Sequence, residues 1–370
     1  MAFSGSLGAA RPRIRYAPDL VRVVLAGIAV ALGAQPALAD EEPKRPISVQ
    51  RQALGIAAAL IPGVIVRGTG SAIVREQRAG KRLAVIGGIG LGAMLVGGLP
   101  VGITGGNQYL IVPGVPLLIA GTGLFMTSWF SDLWVAAGGR CGAGDPRARS
   151  PLSIEAGTTW LHDAYRERAL LRGAVQLAVG RVELSAGVLH DARGAATEGE
   201  LGARVRIHGA APTGAVIEDG SGIWIRAAAR GRDDDEDRVQ VATAEIEAIL
   251  RVDLHRIDVA LRGAFSELSS GLGVERAELG NDRHETGALL LARFAWGAYL
   301  GQRGEISAFY SHRRDQLAGG LPAGGASGFL GSVGATLDLR VLGPWAVRGE
   351  LEIGSAWVTT LVLRYQGRSR

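Results

Sequence analysis

Six histidines, one cysteine and a run of acidic residues are where chemistry would be sought first. His162, His190, His208, His255, His284 and His312 never stand three or four residues apart, so no two of them share a helix face as paired metal ligands do. Cys141 is the single cysteine, which excludes an internal disulfide and a cysteine-based metal cluster. The run Asp233-Asp234-Asp235-Glu236-Asp237 could attract a divalent cation. Its spacing is not that of a calcium loop, however, and acidic runs in loops are normally solvated. Ala79-Gly80-Lys81-Arg82 lacks the earlier glycine and the following Ser or Thr of a phosphate loop, and Gly68-Thr69-Gly70 is too short for a dinucleotide fingerprint. His312 with Asp315, or His208 with a distant serine, would make a surface hydrolase site, but no local feature marks a nucleophile. These residues predict no catalytic site, no metal and no cofactor.

More regular is the placement of charge. From 152 to 365 the chain repeatedly alternates apolar residues with polar or small ones, in stretches of about ten residues separated by turn-forming or charged clusters. That is the period of a strand. Trp345, Val347, Gly349, Leu351 and Ile353 alternate with Ala346, Arg348, Glu350 and Glu352, and Trp357, Thr359, Leu361, Leu363 and Tyr365 with Val358, Thr360, Val362 and Arg364. Opposite the apolar face stand Arg172, Glu183, Arg204, Arg206, Arg226, Asp258, Arg262, Arg293, Glu305, Asp338, Arg340, Arg348, Glu350 and Glu352, joined by Gln176, His208, Arg230, Arg313 and Arg364. The other face supplies Trp160, Phe265, Phe294, Trp296, Tyr310, Phe329, Trp345, Trp357 and Tyr365.

About twelve strands are predicted, starting near 152, 168, 181, 198, 221, 238, 255, 286, 303, 327, 344 and 356. Gly343-Pro344 reads as a tight turn. The segments 191–199, 210–220, 233–237, 268–285 and 314–325 read as surface loops, and at 242–250 the alternation slips far enough that a helix would fit as well. In these features the last 215 or so residues resemble a bacterial outer-membrane β-barrel, architecturally and without a family-specific motif. The resemblance implies an all-β antiparallel transmembrane barrel, with a lipid bilayer and the barrel-insertion machinery as partners. Such proteins typically finish on an aromatic residue; here Tyr365 has the right alternation and Gln366 to Arg370 run past it. The charged face then lines the lumen, because Arg or Lys against lipid at midplane would cost about 2–4 kcal/mol each. Two roles stay open: a narrow Arg-rich pore, or an Arg–Glu network that plugs a small barrel and holds it rigid.

The elements before 152 are of another kind. Residues 1–39 read as a secretory signal, with a basic region ending at Arg22, an apolar run and Ala37-Leu38-Ala39 before Asp40; 40–52 is a charged tether. Residues 53–139 form a hydrophobic helical segment with two apolar runs, 83–103 and 109–130, each near the length of a membrane-spanning helix and together a predicted α-helical hairpin. Gly88 and Gly92 have the small-xxx-small spacing of a helix-packing face, which would suit a homo-oligomer contact. Residues 140–151 are the linker and 152–367 the barrel. Helices this apolar tend to be stopped in the inner membrane, so the first alternative is a periplasmic β-sandwich on an inner-membrane anchor, acting as a binding or scaffold module; a barrel-rim hydrolase is the second. Against 35 acidic residues the chain has 40 Lys plus Arg, four of them in the signal, so the mature chain is only mildly basic and no nucleic-acid partner is implied.

Overall fold

The structure, a computed structural model, describes residues 47–103, 108–139, 150–164, 167–194, 196–209, 219–235, 238–279, 283–313, 317–318 and 331–367. The predicted signal, the start of the tether and most of the linker lie outside these residues. Four helices come first: α1 (Val49–Leu60), α2 (Thr69–Ile73), α3 (Gln77–Ile103) and α4 (Gln108–Ala136). Ser48 caps α1 by accepting the Arg51 N–H, and Gly68, at φ 83°, supplies the left-handed turn from which α2 starts.

The apolar hairpin of α3 and α4 closes at backbone distance. A Cβ on Gly90 would stand 2.6 Å from the Phe125 amide nitrogen, one on Gly97 2.6 Å from the Gly114 carbonyl oxygen, and one on Gly121 2.5 Å from the Met94 nitrogen. The packing stripe of α3 is therefore Gly87, Gly90 and Gly97 and not Gly88 and Gly92, where an added Cβ meets nothing within 4 Å. Each residue turns a helix by about 100°, so Gly88 points well away from the stripe that Gly87 and Gly90 share.

Twelve strands follow: β1 (Leu152–His162), β2 (Glu167–Val179), β3 (Val182–Asp191), β4 (Ala196–His208), β5 (Gly222–Asp234), β6 (Val239–Asp253), β7 (Ala264–Leu279), β8 (Arg283–Tyr299), β9 (Gly304–Ser311), β10 (Ser332–Leu342), β11 (Trp345–Ile353) and β12 (Trp357–Gln366). Every strand pairs antiparallel with its sequence neighbours, and β1 pairs with β12 from Ser153↔Gln366 to His162↔Trp357. The sheet is thus a closed barrel, which removes the sandwich alternative: a sandwich leaves its first and last strands unjoined at sheet edges. Outward side chains such as Ile154, Leu171, Val175, Leu201, Ile246, Leu272, Leu361 and Leu363 are exposed, as on a barrel wall built for hydrocarbon.

The connection from β6 to β7 differs from the predicted pattern. Instead of a strand starting near 255, two single 3-10 turns, Leu254–Arg256 and Val259–Leu261, occupy it, and Asp258 caps the second by accepting the Ala260 N–H. Asp258 and Arg262 therefore lie off the strands and do not line the barrel. The local cap replaces ladder pairing there, and the helices hold it in place: Arg82 donates to the Ile257 carbonyl and to Asp258 (3.2 Å), and Trp134 Nε1 donates to the Arg262 carbonyl (3.2 Å). The expected loop at 268–285 is mostly the paired arms of β7 and β8. Its small residues are ladder positions; a Cβ on Gly271 would stand 2.2 Å from the Ile246 carbonyl oxygen of β6. The ambiguous 242–250 lies within β6.

The hairpin docks on the outer wall of its own barrel. Helix α4 runs along β7 and β8, where Thr127 Oγ1 and Ser266 Oγ are 2.8 Å apart and Trp296 Nε1 donates to Ser131 Oγ (3.2 Å). Phe130 and Trp134 flank the Trp296 ring. At the end of the barrel where its chain termini lie, Val74, Ala79, Leu83, Trp134 and Val135 share one buried cluster with Leu254, Ala260, Leu261, Ala264 and Ala298. Phe294 and Trp296 are thus outward residues covered by a helix. Phe265, expected among them, faces inward instead, beneath the Arg251 guanidinium and against Tyr299. Phe329 lies outside the described residues.

Candidate functional site in the barrel interior

Register around the ring decides which residues meet inside. Glu155 faces inward, and following the pairs from strand to strand puts Arg172, Glu183, Arg204, Arg226, Arg293, Glu305, Asp338, Arg348, Glu350 and Glu352 on that same face. Arg206, next to the bulge that ends β4, stacks inward over Trp224 with its guanidinium 4.7 Å from the ring centroid; Arg204 covers the same ring at 4.4 Å. Arg340 has the inward register too, but sits exposed beside the bulge that ends β10.

Inside, the charges form pairs and networks. Near the termini Glu155 receives Arg364 (2.7 Å to Nε), with Arg172 and Arg348 each at 3.9 Å, and Arg364 also reaches Asp338. Arg348 bonds Glu350 at 2.8 Å. On the other side of the ring Arg226 bridges Glu200 (2.5 Å) and Glu245 (2.9 Å), while Arg230 reaches Glu198 (3.2 Å) and Glu200 (3.4 Å). Arg313, just beyond β9, crosses the interior to the same Glu245 carboxylate, three strands away on β6. Glu245 and Arg313 side chains are 4% and 8% exposed, so this contact is removed from water.

Two further clusters lie toward the two ends. Arg168 is held by Asp234 (2.7 Å) with Asp191 at 3.9 Å, all three buried, and close by Leu317 and Ala318 of the β9–β10 connection pack on Leu161, Ala356 and Val358. At the terminal end Arg251 donates to Glu305 (2.6 Å) and stacks on Phe265, while Tyr299 donates to Asp253. Glu155, Asp191, Glu200, Glu245, Arg251 and Asp253 join the interior without standing out in the sequence, and Asp234 of the acidic run serves as an ion-pair partner there. Glu200 shares the strand parity of Arg204 on β4, whereas Asp191 and Asp253 end their strands and Glu245 lies in the slipped stretch of β6.

Asp219, Asp253 and His255 bring one potential ligand atom each to within 4.8 Å of one another. Their carboxylates are already engaged: Asp219 pairs with Arg256 and accepts the Ser221 N–H (2.8 Å), and Asp253 accepts from Tyr299 and the Gly220 N–H. Burial acts to raise the Asp219 carboxyl, but the Ser221 hydrogen bonds and Arg256 outweigh it and hold it below the ordinary Asp range. His162 bonds Glu167 (2.9 Å), His190 bonds Thr197 (2.9 Å) and His312 bonds the Tyr310 hydroxyl (3.1 Å), and none of these pairs sets a serine against the imidazole.

No protein-family profile matches the sequence, and no curated protein matches it either. Among solved structures the chain is similar to the KdgM porin in complex with disordered oligogalacturonate, at 9% identity and a TM-score of 0.38 over 58% of this chain and 99% of that one. It is also similar to the translocator domain of the autotransporter NalP from Neisseria meningitidis, at 12% identity and 0.36 over 60% and 90%. The Acinetobacter baumannii outer membrane protein Omp33 follows, at 7% and 0.31 over 60% and 100%. Likeness this slight speaks for no ligand, partner or activity, and the closed twelve-stranded barrel rests on its own strand pairing.

Proposed function

We propose that the protein is an exported outer-membrane barrel with a structural, non-enzymatic role, its interior braced by ion pairs and not held open as a wide pore. The observation that carries this reading is Glu245, which takes Arg226 from the adjacent strand and Arg313 from across the interior. An arginine spanning the interior at this point, with Leu317 and Ala318 packed against inward-facing residues at one end, narrows the space a solute would need. The outward wall, apolar along its strands, supports insertion in a bilayer by the barrel-insertion machinery, with the signal at 1–39 directing export. The α3–α4 hairpin then lies in lipid beside the barrel, held by the Thr127–Ser266 and Ser131–Trp296 bonds.

Planar-bilayer recording of the purified protein tests it. Wild type should give small or no steady conductance, and the paired substitution Glu245→Gln with Arg313→Gln should raise it. A large, stable conductance from wild type would overturn the braced-barrel reading in favour of an open, charge-lined channel.

A further inference from the structure

On the outer wall of β2 to β6 the side chains become small over a patch bounded by large ones. Two rows run around the barrel there: Val175↔Ala186↔Leu201↔Ala229↔Ala244 and Leu177↔Leu184↔Ala203↔Ala227. The alanines form a floor and the leucines and valine its walls, leaving an open depression of about 740 Å³. That is within the size of ligand clefts. Its outward-facing side chains are all apolar.

The depression leads toward Arg181, exposed in the two-residue turn Gly180-Arg181 that joins β2 to β3. Leu184 lies three residues along β3 from Arg181, a run of about 10 Å at strand spacing. The guanidinium donates to the Ile207 carbonyl (3.2 Å) and has exposed donors left for an anion. Two-residue turns are the mark of the periplasmic end of bacterial barrels, and the leaflet on that side of an outer membrane is made of phospholipid.

We infer that this depression is a binding site for one inner-leaflet phospholipid, its acyl chain over the alanine floor and its phosphate at Arg181. The inference rests on the membrane reading above. The position of the cation supports it: an apolar groove with an exposed arginine three residues along β3 from its wall matches an amphiphile that carries one anionic group above a hydrocarbon chain.

Native mass spectrometry of the full chain in mild detergent, titrated with palmitoyl-oleoyl phosphatidylglycerol, tests it. Wild type should hold one lipid through conditions that strip the rest. Ala227→Phe with Ala229→Phe, which fills the floor, should weaken that binding about tenfold or more, and Arg181→Gln should weaken it less. Equal retention by all three proteins overturns the inference. So does a change from oligomer to monomer in the phenylalanine variant, which would assign the depression to a second copy. Each variant is first shown to be a closed barrel by its heat-modifiable migration; a wild type that shows none would refute the membrane reading itself, separately from the lipid site.

Discussion

Glu245→Gln distinguishes a braced interior from a water-filled one. The carboxylate faces two guanidiniums, Arg226 and Arg313, and its side chain is only 4% exposed. Replacing it by the neutral amide leaves Arg226 with Glu200 and Glu247 but takes from the buried Arg313 the carboxylate it reaches. Breaking a buried pair in this way costs about 3–5 kcal/mol. For a domain of this length about 2–4 °C accompanies each kcal/mol, so the temperature at which the folded band converts to the unfolded one on gels should fall by about 6–20 °C. Arg313→Gln should cost less, about 1–3 kcal/mol, because Arg226 still neutralises Glu245 and also holds Glu200. The double variant should then be less destabilised than the sum of the two, with a coupling of about 1–3 kcal/mol. Were Glu245→Gln to cost under about 1 kcal/mol, the value of a solvated pair, with no coupling to Arg313, the interior would be wet and the structural role refuted.

Leucine at Gly121 or Gly90 should splay the hairpin, because even a Cβ there meets backbone at 2.5 to 2.6 Å, whereas leucine at Gly88 should leave it closed; disulfide crosslinking between introduced cysteines on α3 and α4 reads the difference. Asp219 titrates below the ordinary Asp value, so its contribution to stability is complete above about pH 4 and is lost as pH falls through the lowered folded-state value. Asp219→Asn should therefore lower stability at pH 7, where the Ser221 hydrogen bonds and the Arg256 pair are fully made, and flatten the acid limb of the denaturation profile.

What could be read from the residues was set by how many constraints each position answers to. In β11 large apolar residues face out and Arg348, Glu350 and Glu352 face in, and β12 repeats the outward apolar row opposite Arg364 and Thr360, so both strands stand out. In β6 it falters because Ile249 faces inward and is buried on the same face as Glu247 and Arg251. Gly271 and Gly273 look like turn residues because tight ladder contacts and turns both exclude a Cβ. Asp258 and Arg262 have the spacing of one strand face, but what fixes them is the docking of Arg82 and Trp134, from residues far away in sequence. Gly88 and Gly92 share a face that the hairpin leaves uncovered, since spacing states that two residues share a face without saying which face is covered.

The same contacts bear on how apolar helices could travel with a barrel. Helix α3 is apolar for most of its length, but the last turns of α4 hold Thr127, Ser128, Ser131 and Asp132, all buried. Asp132 is satisfied only when α2 is in place, through the Gly70 and Ser71 N–H groups and the Ser71 hydroxyl. A lone α4 would leave that carboxylate without these donors at the end of an apolar helix, which weakens it as a stop signal. Thr127 and Ser131 find their partners on β7 and β8, which exist as a wall only after the sheet has formed. The polar groups of α4 therefore make the hairpin a poor independent membrane anchor and a good late addition to a folded barrel, with docking on β7 and β8 as the step that completes it.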